Sequence, residues 1–135
     1  MVYLTRIERF NAAHRLFNKN WSAEKNKEVF GKCANENFHG HNYYLHVTVK
    51  GMPDEDTGFI MNAKELSKLI KSEVTEHLDH SNLNLDVDFL QDVIPSTENL
   101  VIAIWKRLAS KLEPKQLHCV KLFETENIFV EYYGE

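Results

Sequence analysis

The sequence lacks any long apolar run: no stretch approaches the roughly 20 residues that a membrane-spanning helix needs. Its first ten residues carry Arg6, Glu8 and Arg9 where a secretory signal would be apolar, so we expect neither a signal peptide nor a membrane anchor. The chain also lacks any run of Lys or Arg longer than a dipeptide, and its net charge is −4, which argues against a nucleic-acid partner. These absences favour a cytoplasmic protein that acts on a small molecule.

Cysteine is also scarce. The two cysteines, Cys33 and Cys119, cannot build a disulfide framework, and in a reducing compartment we expect both to be thiols. No internal repeat, low-complexity tract or linker interrupts the 135 residues, of which 43% are hydrophobic and 27% charged. We therefore expect residues 1–135 to form a single soluble domain around one core.

The hydrophobic periodicity changes in an ordered way along the chain. Alternating apolar and polar residues predict a half-buried strand over 43–50, and apolar residues spaced by three and four predict two amphipathic helices. Ser96 has the side chain of an N-cap for the second helix, and Pro114 is expected to end it. The full prediction is strands at 2–12 and 43–50, helices at 62–78 and 96–113, and strands at 116–124 and 127–133.

This ββααββ order indicates an α+β fold. We expect a four-stranded antiparallel sheet with both helices on one face. The other face and the two sheet edges then need partners, and oligomerisation would supply them.

Three histidines favour a metal site. His39 and His41 lie two positions apart, so on an extended strand both imidazoles point to the same side and can reach one metal ion. His14, just past the first predicted strand, becomes their neighbour if the first two strands pair. A lone histidine is more often a hydrogen-bonded residue, but three nitrogen ligands with a free fourth position are typical of catalytic zinc.

Five residues separate Cys33 from His39, and the pattern leaves the role of this cysteine open. It could be a fourth ligand that closes the metal site. It could instead be a nucleophile or base whose thiolate is stabilised by a nearby cation. Cys119 lies in an apolar setting and is expected to be a small buried hydrophobe.

Polar residues lie after the first predicted helix, at the start of the second helix and at the end of the third predicted strand. In HLDHSNLN, the Asp79 carboxylate could orient the His80 imidazole for proton transfer, or both residues could cap the helix. Thr97, Glu98 and Glu124 have the pattern of cap and turn residues. A carboxylate such as Glu124 could equally accept two hydrogen bonds from an amino-amide ring edge.

Taken together, the segments FNAAHRL, FGKCANENFHGHNY, LDHSNLN, PSTEN and FETEN…YYGE resemble the 6-pyruvoyl-tetrahydropterin synthase family, in order and over nearly the whole chain. The resemblance implies the tunnelling fold, in which three subunits close their sheets into a twelve-stranded barrel. Two such trimers stack into a homohexamer, and the active sites form where subunits meet.

The resemblance also implies the metal site and the base. His14, His39 and His41 match the ligands of one zinc ion per subunit. Magnesium could be a second cation that the reaction uses. Cys33 matches the catalytic base.

The remaining site residues follow from the same motifs. Asp79 and His80 match the groups that complete proton transfer, and Glu124 matches the carboxylate that anchors the pterin ring, helped by Thr97 and Glu98. The implied reaction is that of a carbon–oxygen lyase in tetrahydrobiopterin biosynthesis. It converts 7,8-dihydroneopterin triphosphate into 6-pyruvoyl-tetrahydropterin with loss of triphosphate.

Two alternatives remain at this point. The 6-carboxy-tetrahydropterin synthase of queuosine biosynthesis is similar, but it typically has three residues between the cysteine and HGH, whereas this chain has five. A non-catalytic zinc or pterin-binding module is the other, although binding alone does not need Cys33, Asp79 and His80. The candidate cations for the triphosphate are Arg6, Arg9, Arg15 and Lys32.

Overall fold

Five strands and four helices make up the α+β fold, in a computed structural model that describes residues 1–135. The strands are β1 (Val2–His14), β2 (His39–Gly51), β3 (Ser81–Asn82), β4 (Leu117–Thr125) and β5 (Ile128–Tyr132). The helices are α1 (Ala23–Phe30), α2 (Ala63–Ile70), α3 (Glu76–Leu78) and α4 (Thr97–Ala109). No helix has both the length and the apolar character that crossing a membrane requires.

The strands form one mixed sheet in the order β3, β1, β2, β4, β5. The four long strands are antiparallel neighbours, as predicted. The exception is β3, which runs parallel to β1 and pairs Ser81 with Ala12 and Asn82 with Ala13. The prediction of a four-stranded, wholly antiparallel sheet was therefore wrong at this edge, because a strand of two residues is too short to show any periodicity.

The core lies between the sheet and the helices α2 and α4. On β2 the inward residues Tyr43, Leu45, Val47 and Val49 are fully buried, which confirms the predicted alternation. Both helices add to the same hydrophobic cluster as these residues, so both cover one face of the sheet. The buried helical residues of this cluster include Leu66, Ile70, Leu100, Val101, Ile104 and Leu108.

The first predicted helix is interrupted. After α2 the chain makes a π-helical turn, Lys71–Thr75, before α3 begins. A π-turn disturbs the regular helical hydrogen bonding, and here Arg107 of α4 donates to the Glu73 carbonyl oxygen at 2.6 Å. The second predicted helix begins as expected, since the Ser96 side chain accepts from the backbone N–H of Asn99. It ends at Ala109, before Pro114.

Helix α1 lies in the connection between β1 and β2 and was not predicted. Its only buried residue is Asn26, so it has no apolar stripe for a periodicity search to find. The Asn26 side chain instead accepts from the Asn18 N–H at 2.7 Å and donates to the Asn18 carbonyl at 3.0 Å. Gly31 ends the helix with φ of 57°, a left-handed conformation that favours glycine, and leads into a 3₁₀ turn over Gly31–Ala34.

We expect Leu108→Ala to lower the free energy of unfolding by about 2 to 5 kcal/mol, because it removes a fully buried side chain from the helix–sheet core. Urea unfolding followed by circular dichroism measures this loss. Leu85 is 67% exposed, and Leu85→Ala is the control, with an expected change of about 0.5 kcal/mol or less. Equal losses in the two variants would contradict the assigned core.

Candidate metal and catalytic site

The pairing of β1 with β2 brings the three predicted histidines together. His14 lies directly opposite His39, and His41 lies opposite Ala12. The ring nitrogens that could bind a metal all lie within 4.8 Å of one another. The centroids of the His14 ring and the His39 ring are 4.6 Å apart, and those of His39 and His41 are 4.9 Å apart. The cluster could therefore hold a metal ion, as predicted.

One of these histidines is oriented by the backbone. His14 is 1% exposed, and its Nδ1 lies 2.8 Å from the carbonyl oxygen of Pro95. A carbonyl only accepts, so Nδ1 carries the proton and Nε2 keeps a lone pair for a metal. Burial lowers the pKa of His14 and outweighs this hydrogen bond, and the neighbouring imidazoles of His39 and His41 lower it further. Burial, followed by His41, also lowers the pKa of His39, which favours neutral, ligating imidazoles at neutral pH.

The third histidine supplies the test of fit. The Nε2 atom of His41 is buried and has no hydrogen-bond partner. The nearest carboxylate oxygen, Oε1 of Glu124, lies 3.6 Å away. A buried polar atom without a partner is unfavourable, and coordination to a metal would satisfy it. Three imidazoles that converge in this way fit a zinc ion with a free fourth position.

Cys33 lies in the 3₁₀ turn that follows α1, and its side chain is partly buried. Its thiol does not belong to the histidine cluster. The closed site of three histidines and one cysteine is therefore not formed in this structure. The Cys33 carbonyl accepts a hydrogen bond from the backbone N–H of Leu16 at 2.7 Å, so the turn is attached to the chain two residues after His14.

Asp79 and His80 form the predicted pair. His80 Nδ1 lies 2.9 Å from Oδ2 of Asp79, and Oδ1 of Asp79 accepts the backbone N–H of Asn11 at 2.8 Å. That bond from Asn11 is the main reason that the pKa of Asp79 is lowered. The side chains of His80 and Asp79 are 82% and 44% exposed, and neither residue belongs to the histidine cluster. Within one chain, therefore, the pair and the cluster remain separate.

Two of the three remaining predicted residues come together beside the cluster. The Thr97 hydroxyl, at the start of α4, donates to Oε2 of Glu124 at the end of β4. Thr97 is 3% exposed, so this contact is buried at the helix–sheet boundary. Glu98 is exposed in the first turn of α4 and forms no hydrogen bond with either residue.

Two contributors to the site were missed in the sequence. Tyr43 is fully buried, and its hydroxyl lies 3.5 Å from Nδ1 of His14. Burial, with Glu124 second, raises the pKa of Tyr43, so its hydroxyl stays protonated and neutral. Its position two residues after His41 was a usable signal, because residues i and i+2 share one strand face. Pro95 acts through its backbone carbonyl, for which a sequence carries no signal.

The fold and the site together define an α+β protein with a three-histidine cluster that could hold a metal ion, a carboxylate beside it and a separate Asp–His pair. These features are typical of a metal-dependent enzyme with a small-molecule substrate.

Comparisons with known proteins give the family. A sequence model of the family 6-pyruvoyl tetrahydropterin synthase matches residues 3–135. The 6-pyruvoyl tetrahydrobiopterin synthase of Dictyostelium discoideum is 48% identical over 134 residues, which cover 99% of this chain and 97% of that protein. The solved structure of the Caenorhabditis elegans 6-pyruvoyl tetrahydropterin synthase superimposes with a TM-score of 0.93 at 37% identity, over 99% of this chain and 96% of that one. The chain belongs to the 6-pyruvoyl tetrahydropterin synthase family, which confirms the resemblance in its motifs.

A more distant relative has a different product in its name. The 6-carboxy-5,6,7,8-tetrahydropterin synthase of Bacillus subtilis (strain 168) is 32% identical over 105 residues, which cover 74% of this chain and 68% of that protein.

We expect the metal-free protein to bind about one equivalent of zinc, and His41→Gln to weaken binding by at least about tenfold, because one of three imidazole ligands is lost. Titration in competition with a chromophoric chelator measures both affinities. His118 lies outside the cluster, and His118→Gln is the matched control, which should bind zinc as the parent does. Equal affinities in the His41 and His118 variants would contradict the assigned metal site.

Proposed function

We propose that the protein converts 7,8-dihydroneopterin triphosphate into 6-pyruvoyl-tetrahydropterin and releases triphosphate, as a step of tetrahydrobiopterin synthesis. The observation that carries the proposal is the 3.6 Å separation between Oε1 of Glu124 and Nε2 of His41. It gives one small volume a carboxylate for the pterin ring and three ligands for a metal. Membership of the family supports the same reaction.

Glu124 is suited to bind the ring edge because Thr97 fixes its orientation. The hydroxyl of Thr97 occupies Oε2, so Oε1 keeps its lone pairs for a ligand. A carboxylate can accept hydrogen bonds from an amide N–H and an amino group of the pterin. We assign Glu98 at most a secondary part, since it is exposed and contacts neither residue.

Zinc is the metal that the ligand set favours, and when bound it would polarise the hydroxyl groups of the substrate side chain. The acid–base work then belongs to the chain. Cys33, whose thiol lies outside the histidine cluster, stays available to accept a proton from the carbon beside those hydroxyls. His80, held by Asp79 at 2.9 Å, passes a proton to or from the other end of the rearranging side chain.

Of the four candidate cations for the triphosphate, two already have polar partners on the chain. Arg6 is paired with Glu8 at 3.0 Å, and Arg15 donates to a backbone carbonyl. Arg9 and Lys32 form no ion pair with a carboxylate. We therefore assign the triphosphate to these two.

The proposal extends to the assembly, a homohexamer of two stacked trimers with sites between subunits. The exposed Asp79–His80 pair supports it, because a catalytic pair is expected to be covered in the working enzyme. The sheet supports it too. Strand β3 pairs with β1 only at Ala12 and Ala13, so most of β1 is a free edge, as is β5 at the other end. In this proposal residues 1–135 act as one cytoplasmic domain.

The 6-carboxy product is the alternative, and the similarity to the Bacillus subtilis enzyme is the observation in its favour. Two facts weigh against it. The Dictyostelium discoideum 6-pyruvoyl tetrahydrobiopterin synthase is 48% identical to this chain, whereas the Bacillus subtilis enzyme is 32% identical. In addition, five residues separate Cys33 from HGH.

Incubation of zinc-loaded protein with 7,8-dihydroneopterin triphosphate should give 6-pyruvoyl-tetrahydropterin and free triphosphate in equal amounts. Mass spectrometry of the pterin, with an assay for triphosphate, measures both. Release of acetaldehyde with a 6-carboxy pterin would assign the alternative reaction. Tight binding of the pterin with no turnover would indicate a binding module.

The site between subunits predicts complementation. Cys33→Ala and His80→Ala should each retain zinc and lose most activity, because each removes a proton-transfer group and neither removes a ligand. Subunits mixed in equal amounts under dissociating conditions and then reassembled should recover about one quarter of the parent activity, since some sites then receive an intact residue from each chain. Mixtures as inactive as the separate variants would show that both groups act within one chain.

A further inference from the structure

We propose that Arg15 is a positioning residue that fixes the turn carrying Cys33 relative to the metal ligand His14. The inference rests on the proposed function, in which the Cys33 thiol is the base. It comes from a set of contacts around the end of β1 that neither metal binding nor the hydrophobic core requires.

The backbone of Arg15 is held by the side chain of Asn84. Its N–H donates to Oδ1 of Asn84 at 2.9 Å, and its carbonyl accepts from Nδ2 of Asn84 at 3.0 Å. The residue before Asn84 also binds β1: the N–H of Leu83 donates to the carbonyl of Ala13 at 2.8 Å. The asparagine side chain thus continues the pairing of β1 with β3 by one further step, and it fixes the residue next to His14.

The side chain of Arg15 then reaches to the catalytic turn. Its Nη2 donates to the Ala34 carbonyl at 2.8 Å, and its guanidinium lies 4.2 Å from the centre of the Phe17 ring. The N–H of Leu16 donates to the Cys33 carbonyl at 2.7 Å. Two consecutive residues after His14 therefore bind two consecutive carbonyls of the turn, which sets the place of Cys33 relative to the end of β1.

The charge of Arg15 has no other evident use. No carboxylate lies within ion-pairing distance of it. Its Nε atom is buried without a hydrogen-bond partner, which is unfavourable for stability. Groups that cost stability are expected mainly at functional sites. The buried, unpartnered Nε atom of Arg15 therefore points to a role in the site.

The position of this turn matters because the rate of proton abstraction depends strongly on the distance between the base and the carbon. A displacement of about 1 Å in a reacting group costs on the order of 100-fold in rate. The turn is a single 3₁₀ segment of four residues, Gly31–Ala34. The hydrogen bonds from Leu16 and Arg15 attach this short segment to the end of β1.

The test is Arg15→Met, which replaces the unbranched stem of the arginine with one of similar length and removes the guanidinium donors. We expect kcat to fall on the order of 10- to 100-fold while KM changes less than about twofold, with zinc content unchanged. Hydrogen–deuterium exchange in peptides covering residues 31–36 should become faster. Arg15→Lys keeps one donor for Ala34 and should lie between the parent and the methionine variant in both measurements.

Arg107→Met is the matched control. Arg107 also donates to a backbone carbonyl, that of Glu73, and its guanidinium lies 4.4 Å from the centre of the Phe89 ring. It lies on α4 and binds the π-helical turn, and it makes no hydrogen bond to the Cys33 turn. Its loss should lower stability and leave both kcat and exchange over residues 31–36 as in the parent.

The two proposals fail in different ways. Parent-like kcat and parent-like exchange over 31–36 in Arg15→Met would overturn the positioning role while leaving the proposed reaction intact. A parent protein with no pterin turnover would overturn the reaction, and the exchange measurement would still decide whether Arg15 orders the turn. A fall in kcat with unchanged exchange, or an equal fall in Arg107→Met, would also count against Arg15.

Discussion

The register between β1 and β2 is the constraint on which the site depends. The two strands pair without a bulge from Val2 opposite Gly51 to His14 opposite His39. A slip of one residue would turn the side chains of one strand to the other face and separate the imidazoles. The core prevents this slip. Burial of a large apolar side chain is worth about 1.5 to 3 kcal/mol, and Leu45, Val47 and Val49 are all buried on the face that carries the histidines.

The same balance explains how the chain tolerates an unfavourable group. Leaving the His41 Nε2 atom buried without a partner costs about 1 to 3 kcal/mol, less than the hydrophobic burial that fixes its strand. A polar site is thus held at the end of an apolar face. The residues after α3 extend this polar site along the edge of β1 that faces away from β2. There the Asp79 carboxylate accepts from the N–H of Asn11, and the Asn84 side chain binds the backbone of Arg15. The end of β1 is therefore the common support for the three-histidine cluster, the Asp79–His80 pair and the Cys33 turn.

The sequence predicted the strands and helices whose apolar residues recur with a regular spacing. It also predicted side-chain groups that a local spacing brings together. The alternation around Tyr43, the Ser96 cap and the three histidines belong to these groups. Strand β3 and helix α1 do not, because β3 is held by backbone hydrogen bonds over two residues and α1 by the side chain of Asn26. The separation of the Asp79–His80 pair from the histidines within one chain also depends on tertiary placement, which no local pattern encodes.

The central claim is that three imidazoles form the metal site and that the Cys33 thiol stays off the metal. X-ray absorption spectroscopy at the zinc edge of the loaded protein tests it most directly. The account predicts nitrogen and oxygen neighbours at about 2.0 to 2.1 Å and no sulfur. A sulfur neighbour at about 2.3 Å that disappears in Cys33→Ala would contradict it, because that thiol would then be a ligand and not the base.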